Sequence, residues 1–463
     1  MMLAQSYPQE ATRVLSYTIP WKETSFLNFL QAFPNETRLY VENGHTSVAI
    51  GGIGSVVTLH ASGEDRFHSI RKQCLGLFER IDIIKNADTA PPPLIIGGAA
   101  FDPKFQPHGI WSGFASASFV LPRISLVRSH GEHWLTFNEP IKSDHTRDEI
   151  LAHMAAHTIS LKSSFASKQS ALQGSLLPDL SRDHTSIPIK SLNNWRAMLE
   201  TAIAHIHGGE IDKVVLSRAL KFIGKEAIAP LAVLEVLEDQ YPDCYRFLVE
   251  FVPGNAFFGA TPELLASVHD GWIRAMALAG SAPRGKSPDE DQAFGHELLA
   301  NAKERQEHNL VIRQIKNNLA SLTSSLAVSP VPALMQLNNI QHIRTDISGE
   351  LNDDHDLLSV VAALHPTPAV GGNPRPRALD LIAELETQSR GWYAAPIGWM
   401  DAAGNGEFVV GLRSGVSLGN EALLYSGAGI LGASNPDREW DETERKFRPM
   451  LNALQRSHSH DSN

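Results

Sequence analysis

The chain has 463 residues, 43% of them hydrophobic and 20% charged, a balance typical of a globular protein with one large core or a few domains. Its net charge is −11 and it has no lysine- or arginine-rich block, so we expect no nucleic-acid partner. Two cysteines exclude a disulfide scaffold and suit the cytoplasmic location that we predict. The pattern at the N-terminus predicts no secretory signal, and the apolar runs are too short to span a membrane, so no membrane partner is expected.

The first part of the chain, residues 1–188, shows strand patterns but no motif that we can name. Stretches rich in Val, Ile, Phe and Ser predict strands over residues 47–60 and 114–127. Residues 163–188 are rich in Ser, Gln, Lys and Asp, which predicts a surface connection.

His153 and His157 have the helical spacing of a zinc site within this first part. A metalloprotease needs a glutamate directly after the first histidine, and Met154 stands there instead. The metalloprotease interpretation therefore fails, and most of the 20 histidines are expected to be surface or satisfied core groups.

The later part, residues 189–456, mixes strands and helices in a pattern that predicts an α+β layered fold. Helices are predicted over residues 195–207, 230–239, 289–322, 375–388 and 436–454. Strands are predicted over residues 213–222, 245–252, 257–267, 273–279, 392–400, 407–416 and 422–426. The polar tail, residues 457–463, is predicted to be disordered.

Two acidic signatures, far apart in the chain, each place two glutamates three residues apart in a predicted helix. They are Glu304 with Glu307 and Glu439 with Glu442. Taken singly, such pairs are typical of a solvated helix face. Brought together, their oxygens would suit Mg²⁺, which binds through a few carboxylates and takes further ligands from water and substrate.

Lys213 and Glu263 are the two single ionisable groups that stand out. Lys213 opens an apolar strand, where a lysine usually extends its amine past the end of the sheet. Glu263 lies between Pro262 and two leucines, so it either points outward or has a raised pKa. A raised pKa would keep the carboxyl group protonated near neutral pH, as a general acid requires.

Several further positions suggest a site for an anion. Gly280 and Ser281 follow a predicted strand, where small residues leave room for a ligand or another backbone, although residues 278–285 also fit a simple turn. Tyr393 and Arg413 lie on two strands that we predict to be neighbours, and an arginine in so apolar a strand favours a planar anion such as a carboxylate. Backbone N–H groups near Gly427 could bind the same anion.

Residues 195–454 closely resemble the chorismate-binding enzymes, which include isochorismate synthase, salicylate synthase and the first components of anthranilate and aminodeoxychorismate synthases. The matching stretches are residues 213–218, 258–265, 278–284, 303–308, 365–369, 404–407, 412–414, 427–430 and 439–446. The resemblance implies large antiparallel β-sheets packed as a sandwich with helices outside, the anthranilate synthase component I-like fold. Residues 1–188 would be a divergent part packed into that fold, with residues 189–456 as the catalytic region.

Three positions indicate an isochorismate synthase within this family. Amidating members lack the lysine that this chain has as Lys213, and aminodeoxychorismate synthases carry a nucleophilic lysine where it has Ala279. Members that eliminate pyruvate usually have threonine where it has Ala369. Residues 390–399 are more similar to the menaquinone-pathway enzymes than to the siderophore enzymes. A salicylate synthase and a siderophore-pathway isochorismate synthase remain the alternatives.

The resemblance also implies roles for these residues. Lys213 would activate water, and Glu263 would protonate the departing C4 hydroxyl group. Glu307 and Glu442 would hold Mg²⁺, with Glu304 and Glu439 contributing directly or through water. The groups expected to bind or line the substrate are Gly280, Ser281, His342, Ala369, Tyr393, Arg413 and Gly427.

The partners implied are small molecules. Chorismate would be the substrate and isochorismate the product, and no glutaminase subunit is expected because Lys213 speaks against amidation. A monomer is expected rather than a dimer.

Overall fold

The computed structural model describes residues 13–46, 48–141, 146–169 and 184–456. The predicted disordered tail, residues 457–463, lies outside the described residues, as does most of the predicted connection over residues 163–188. The described start of that connection, residues 163–169, belongs to a helix, so the prediction of a connection there is wrong. No helix in the described ranges is long and apolar enough to cross a bilayer.

The described residues form 23 strands, ten α-helices and a 3-10 helix at Gly109–Trp111. The strands are β1 Val14–Trp21, β2 Arg38–Asn43, β3 Ala49–Ile53, β4 Val57–Ala61, β5 Ile81–Lys85, β6 Leu94–Ala99, β7 Ala117–Leu121, β8 Ile124–Ser129, β9 Glu132–Pro140, β10 Thr185–Pro188, β11 Lys213–Ile223, β12 Tyr245–Val252, β13 Asn255–Thr261, β14 Leu264–His269, β15 Trp272–Pro283, β16 Thr323–Val328, β17 Ala333–Gln336, β18 Ile340–Leu351, β19 Gly372–Asn373, β20 Pro396–Asp401, β21 Gly406–Val410, β22 Ser414–Leu418 and β23 Glu421–Ile430. The helices are α1 Phe26–Gln31, α2 Arg66–Phe78, α3 Arg147–Gln169, α4 Leu192–His207, α5 Pro230–Gln240, α6 Pro288–Ala300, α7 Ala302–Leu319, α8 Leu357–Leu364, α9 Arg375–Leu385 and α10 Pro436–Arg456.

The strands form two large sheets. The first has 13 strands in the order β10-β11-β23-β22-β13-β12-β2-β3-β8-β9-β1-β5, with β19 beside β11. The second has ten, in the order β16-β18-β15-β14-β21-β20-β6-β7-β4, with β17 beside β18. Pairing is antiparallel except between β1 and β5. Early strands pair directly with late ones, as β2 does with β12 and β6 with β20.

An aromatic cluster fills part of the core between the sheets. The Trp111 ring lies 5.2 Å from both Phe114 and Phe257, and Phe114 lies 5.4 Å from Trp392. Each large side chain removed from water in this way contributes roughly 1.5–3 kcal/mol. Helices cover the outside, with α7 packed on β15 and α10 on β23. The α+β fold with two antiparallel sheets is therefore confirmed.

Two predicted strands of the later part are wrong in an informative way. Residues 257–267 are not one strand, because the chain leaves the first sheet after Thr261 and enters the second at Leu264. Residues 407–416 likewise divide into β21 of the second sheet and β22 of the first. Both crossings are short and join two apolar strand segments, so alternation of side chains alone does not reveal them.

The predicted positions of two binding residues change with these corrections. Arg413 lies in the second crossing, with φ of 45°, rather than within a strand. Tyr393 lies in the turn before β20, because that strand begins only at Pro396. Residues 47–60 and 114–127 also each contain two strands rather than one.

The predicted helix over residues 289–322 is two helices, with a break at Asn301. The Asn301 side chain accepts hydrogen bonds from the backbone N–H groups of Lys303 and Glu304, at 3.0 and 3.2 Å. An asparagine in this role satisfies two of the donors that a helix start leaves unpaired. The break places Glu304 in the first turn of α7.

Candidate active site

Lys213 lies at the start of β11, between two neighbouring strands. It pairs with Asn373 of β19, and the next residues pair with β23. Its side chain is only 1% exposed, and its Nζ atom lies 2.7 Å from an oxygen of Glu307. The sequence favoured an amine extended past the sheet end, whereas the structure buries it against a carboxylate.

A buried ion pair holds the strand that carries Lys213. The Glu386 carboxylate accepts hydrogen bonds from the backbone N–H and the hydroxyl group of Ser217, at 2.6 and 2.9 Å. Arg390 donates to both oxygens of Glu386 and, at 2.7 Å, to the Val215 carbonyl. Because these groups are buried and their hydrogen bonds are charge-assisted, they fix β11 and so the direction from which Lys213 enters the site.

Glu263 lies in the first crossing between the sheets. Its backbone carbonyl accepts a hydrogen bond from Val410 N–H at 3.0 Å, which ties this crossing to the end of β21. Burial raises the pKa of its carboxyl group to about 7, although the positive charges of Lys213, Arg413 and Lys446 lower it in part. A carboxyl group in this state can donate a proton near neutral pH.

Arg413 lies in the second crossing, beside the first. Its carbonyl accepts a hydrogen bond from Ala260 N–H at 3.1 Å. A positive φ at a non-glycine residue costs of order 1–3 kcal/mol and persists where the surroundings enforce it. Burial lowers the pKa of its guanidinium, and within the described ranges it forms no ion pair with a carboxylate. An anionic ligand would supply the missing partner.

His342 connects Arg413 to the end of β15. Its Nδ1 atom lies 3.0 Å from the Ser281 hydroxyl and 3.2 Å from the Gly280 carbonyl, and Arg413 donates to its Nε2 atom at 3.4 Å. Burial, followed by the charges of Arg413 and Lys446, lowers its pKa to about 3. The imidazole is therefore neutral, with the proton on Nδ1 facing the carbonyl oxygen and the free lone pair on Nε2 facing the guanidinium.

The bulge in β15 explains the two small residues at this position. Gly280 has φ of 82° and interrupts the pairing of β15 with β18. A side chain there would be strained and would contact Glu304 and Ile343. The bulge turns the Ser281 backbone N–H toward Glu304, to which it donates at 3.2 Å. It thus joins the strand to the first acidic pair.

The two acidic pairs face the same region from two helices. Burial and the charge of Glu307 raise the pKa of Glu304, on which the charge of Glu442 also acts. Burial and Glu442 raise the pKa of Glu439 to about 7. The raised pKa values of Glu304 and Glu439 fit a hard divalent cation at this place, because a bound positive charge would relieve the repulsion between neighbouring carboxylates.

Three lysines are the counter-ions of these carboxylates. Lys213 pairs with Glu307, Lys303 lies 3.7 Å from Glu439 and Lys446 lies 2.6 Å from Glu442. No three of the glutamates in the described structure bring their oxygens within 4.8 Å of one another. A cation at this place would therefore compete with lysines for the carboxylates.

Lys446 is missing from the residues predicted from the sequence. Besides pairing with Glu442, it donates to the Gly427 carbonyl at 3.0 Å, and its charge acts on both Glu263 and His342. Although burial raises the pKa of Glu442, the charge and hydrogen bond of Lys446, together with the electrostatic effects of His342 and Arg445, lower this pKa overall. The spacing of four residues between Glu442 and Lys446 on a helix is the signal that points to the pair.

Tyr393 and Gly427 also lie in this region, whereas Ala369 lies at its edge. A side chain added at Gly427 would contact the Tyr393 hydroxyl, and burial raises the pKa of Tyr393 to about 12. Ala369 packs against the core two residues before Gly371, whose carbonyl accepts a hydrogen bond from Val215 of β11. Among the described contacts, none joins Ala369 to the charged groups.

The family's sequence profile, described as chorismate binding enzyme, matches residues 2–455. The chain belongs to the chorismate-binding enzyme family. The match covers the early strands as well as the region that carries Lys213 and the acidic pairs.

Relatives within this family are isochorismate synthases by name. Isochorismate synthase MenF of Bacillus subtilis is 32% identical over 445 residues, covering 93% of this chain and 90% of that protein. The salicylate biosynthesis isochorismate synthase of Pseudomonas aeruginosa is 34% identical over 403 residues, covering 87% and 82%. The solved structure of MenF, the menaquinone-specific isochorismate synthase of Escherichia coli, matches with a TM-score of 0.77 and 28% sequence identity, covering 96% of this chain and 95% of that one.

Proposed function

We propose that this chain is an isochorismate synthase, which converts chorismate to isochorismate. The observation that carries the proposal is that a buried amine, Lys213, and a carboxyl group of raised pKa, Glu263, share one site with Arg413, which forms no ion pair with a carboxylate of the described residues. The two MenF proteins and the salicylate-pathway enzyme, all similar over most of this chain, support it.

In the proposed reaction Lys213 accepts a proton and Glu263 donates one. Lys213, as the neutral amine, takes a proton from water while that water attacks C2 of the ring. Glu263 gives its proton to the departing C4 hydroxyl group, which leaves as water while the ring double bonds shift. One water is added and one water is released. Lys213 ends the reaction protonated and Glu263 ionised, and proton exchange with solvent returns both residues to their starting states.

Arg413, with Tyr393 and the backbone near Gly427, binds the enolpyruvyl carboxylate. His342 stays neutral, so it accepts from Arg413 without repelling it and keeps the guanidinium oriented. Glu304, Glu307, Glu439 and Glu442 would hold Mg²⁺. When bound, this ion supplies a positive charge for the ring carboxylate and acts as a Lewis acid.

The reaction stops before pyruvate is lost, in our proposal, because Ala369 stands where pyruvate-eliminating relatives usually have threonine. A role in menaquinone biosynthesis is supported by the similarity to the two MenF proteins, whereas the Pseudomonas relative supports a role in salicylate biosynthesis. We favour the menaquinone pathway, and a chain that works as a monomer without a glutaminase subunit.

The direct test is to incubate the purified enzyme with chorismate and Mg²⁺, to separate the products by chromatography and to measure their masses. Isochorismate has the same mass as chorismate and is separated from it by chromatography, with its pyruvyl ether intact. Salicylate together with free pyruvate would identify a salicylate synthase instead. Chorismate that is bound but unchanged would reject catalysis.

Glu307→Gln is expected to weaken Mg²⁺ binding and chorismate binding together. The substitution removes a ligand of the metal, and the metal is expected to bind the ring carboxylate of the substrate. Mg²⁺ titration of activity and calorimetry of chorismate binding measure the two effects. Since Glu307 also pairs with Lys213, loss of turnover alone does not test the assignment. Glu297→Gln, an exposed glutamate on α6, is the matched control. A normal Mg²⁺ titration in Glu307→Gln would show that the ligand assignment is wrong.

A further inference from the structure

A second group of ligand-type side chains lies far from the acidic pairs in sequence, on the face where α3 meets the first sheet. Glu139 is near the end of β9, and His153 and His157 are one turn apart on α3. One potential ligand atom from each lies within 4.8 Å of the other two, and the imidazole ring centroids are 4.3 Å apart. In the described part of the chain this is the one group of three or more His, Cys, Asp or Glu side chains that meets this distance.

The donor set distinguishes this group from the proposed Mg²⁺ site. Two imidazole nitrogens and one carboxylate oxygen suit zinc and similar transition metals, whereas Mg²⁺ prefers oxygen alone. Zinc bonds of roughly 2.0–2.2 Å in a tetrahedron set neighbouring ligands a little over 3 Å apart, so small side-chain rotations complete the site. His153 is exposed and Glu139 and His157 are half-buried, so water has access to a fourth position.

The attachment of α3 suggests what a metal would do there. Four residues at helical spacing are buried along the described side chains of this helix: Ile150, Met154, Thr158 and Leu161. The two histidines come directly before Met154 and Thr158 in the sequence, so both lie along the same side of this narrow stripe. A metal bridging them to Glu139 would tie α3 to β9 by coordination, in addition to the apolar contact.

We propose that Glu139, His153 and His157 form a zinc-class transition-metal site with an open position, which fastens α3 to the first sheet. The site is independent of chorismate chemistry and of the acidic pairs. His153 and His157 have the helical spacing of a zinc site that was noted in the sequence. The metalloprotease interpretation fails there because the chain lacks the glutamate after the first histidine, but a zinc site of another kind does not need that glutamate. The third ligand comes from a strand, which the sequence alone does not place beside the helix.

The test is zinc binding to chelator-treated enzyme in excess Mg²⁺, which occupies the carboxylate site. We expect one zinc per chain by calorimetry, and slower amide hydrogen exchange in β9 and α3 when zinc is bound. His153→Ala should weaken zinc binding by more than the roughly 10–100-fold that loss of an outer hydrogen-bond partner costs at metal sites. The double change His153→Ala with His157→Ala should abolish both the binding and the protection.

Matched controls distinguish zinc binding at this site from zinc binding by other exposed histidines. His296→Ala, an exposed histidine on α6, should bind zinc as the unaltered enzyme does. Glu139→Gln keeps the helix intact and should weaken binding, so a folding defect in a histidine variant cannot be mistaken for loss of the site. Equal zinc affinity in the double variant, or no zinc bound by the unaltered enzyme, would overturn the proposal. Magnesium-dependent turnover is expected to be unchanged in all of these variants.

Discussion

Replacing Lys213 with alanine is expected to lower chorismate turnover by roughly two or more decades, the usual effect of removing a general base. The amine is buried and lies beside Glu307, so a lysine on the protein surface cannot take its place. Chorismate should still bind, because Arg413 and the backbone near Gly427 are left intact. Steady-state kinetics gives the loss of turnover, and calorimetry with chorismate gives the binding.

Lys221→Ala is the matched control for this change. Lys221 lies on the same strand, β11, and pairs with Glu421 at 2.7 Å, away from the site. Its replacement should leave turnover unchanged and lower stability by no more than about 1 kcal/mol, as for other partly exposed ion pairs. Unchanged turnover in Lys213→Ala would remove this lysine from the proposed mechanism. Loss of chorismate binding as well would make it a binding residue instead.

The sequence predicts secondary structure here best where one element stays in one environment. Strand β12 has the predicted bounds, Tyr245–Val252, and helix α10 begins at the predicted Pro436. Prediction fails where a short apolar stretch passes from one sheet to the other, as around Glu263 and Arg413. Alternation gives the face of a strand but not the sheet to which it belongs, and that depends on contacts distant in sequence.

Prediction of the candidate site has the same limit, because contacts between residues distant in sequence decide which charged groups meet. The paired glutamates could be found from their spacing, because a helix sets residues three apart on one face. The Lys213–Glu307 pair could not, since it joins a strand to a helix 94 positions later in the chain. The neutral state of His342 also depends on burial and on Arg413, which no local pattern reports.

Glu263→Gln is expected to lower turnover by roughly 10²–10⁴-fold, the range for loss of a general acid, because the amide cannot give a proton to the leaving hydroxyl. In the unaltered enzyme the pKa of about 7 predicts that kcat/KM falls as the pH rises through that value. The variant should lose this alkaline limb. Asp401→Asn is the control, since burial raises the pKa of Asp401 to about 6 on a different strand end, and its turnover should be normal.

The same substitution should change stability in the opposite direction, which separates a catalytic role from a folding defect. The pKa of Glu263 rises from 4.5 to about 7 on folding, so its favourable contribution is complete below 4.5 and is lost as the pH rises through about 7. Glutamine does not ionise and avoids this loss. Between about pH 5 and about pH 8, urea unfolding without metal should shift by about 2–3 kcal/mol in favour of the variant. A variant that is inactive yet gains no relative stability at the higher pH would mean that Glu263 is ionised in the folded enzyme, and the proposed acid would have to be another group.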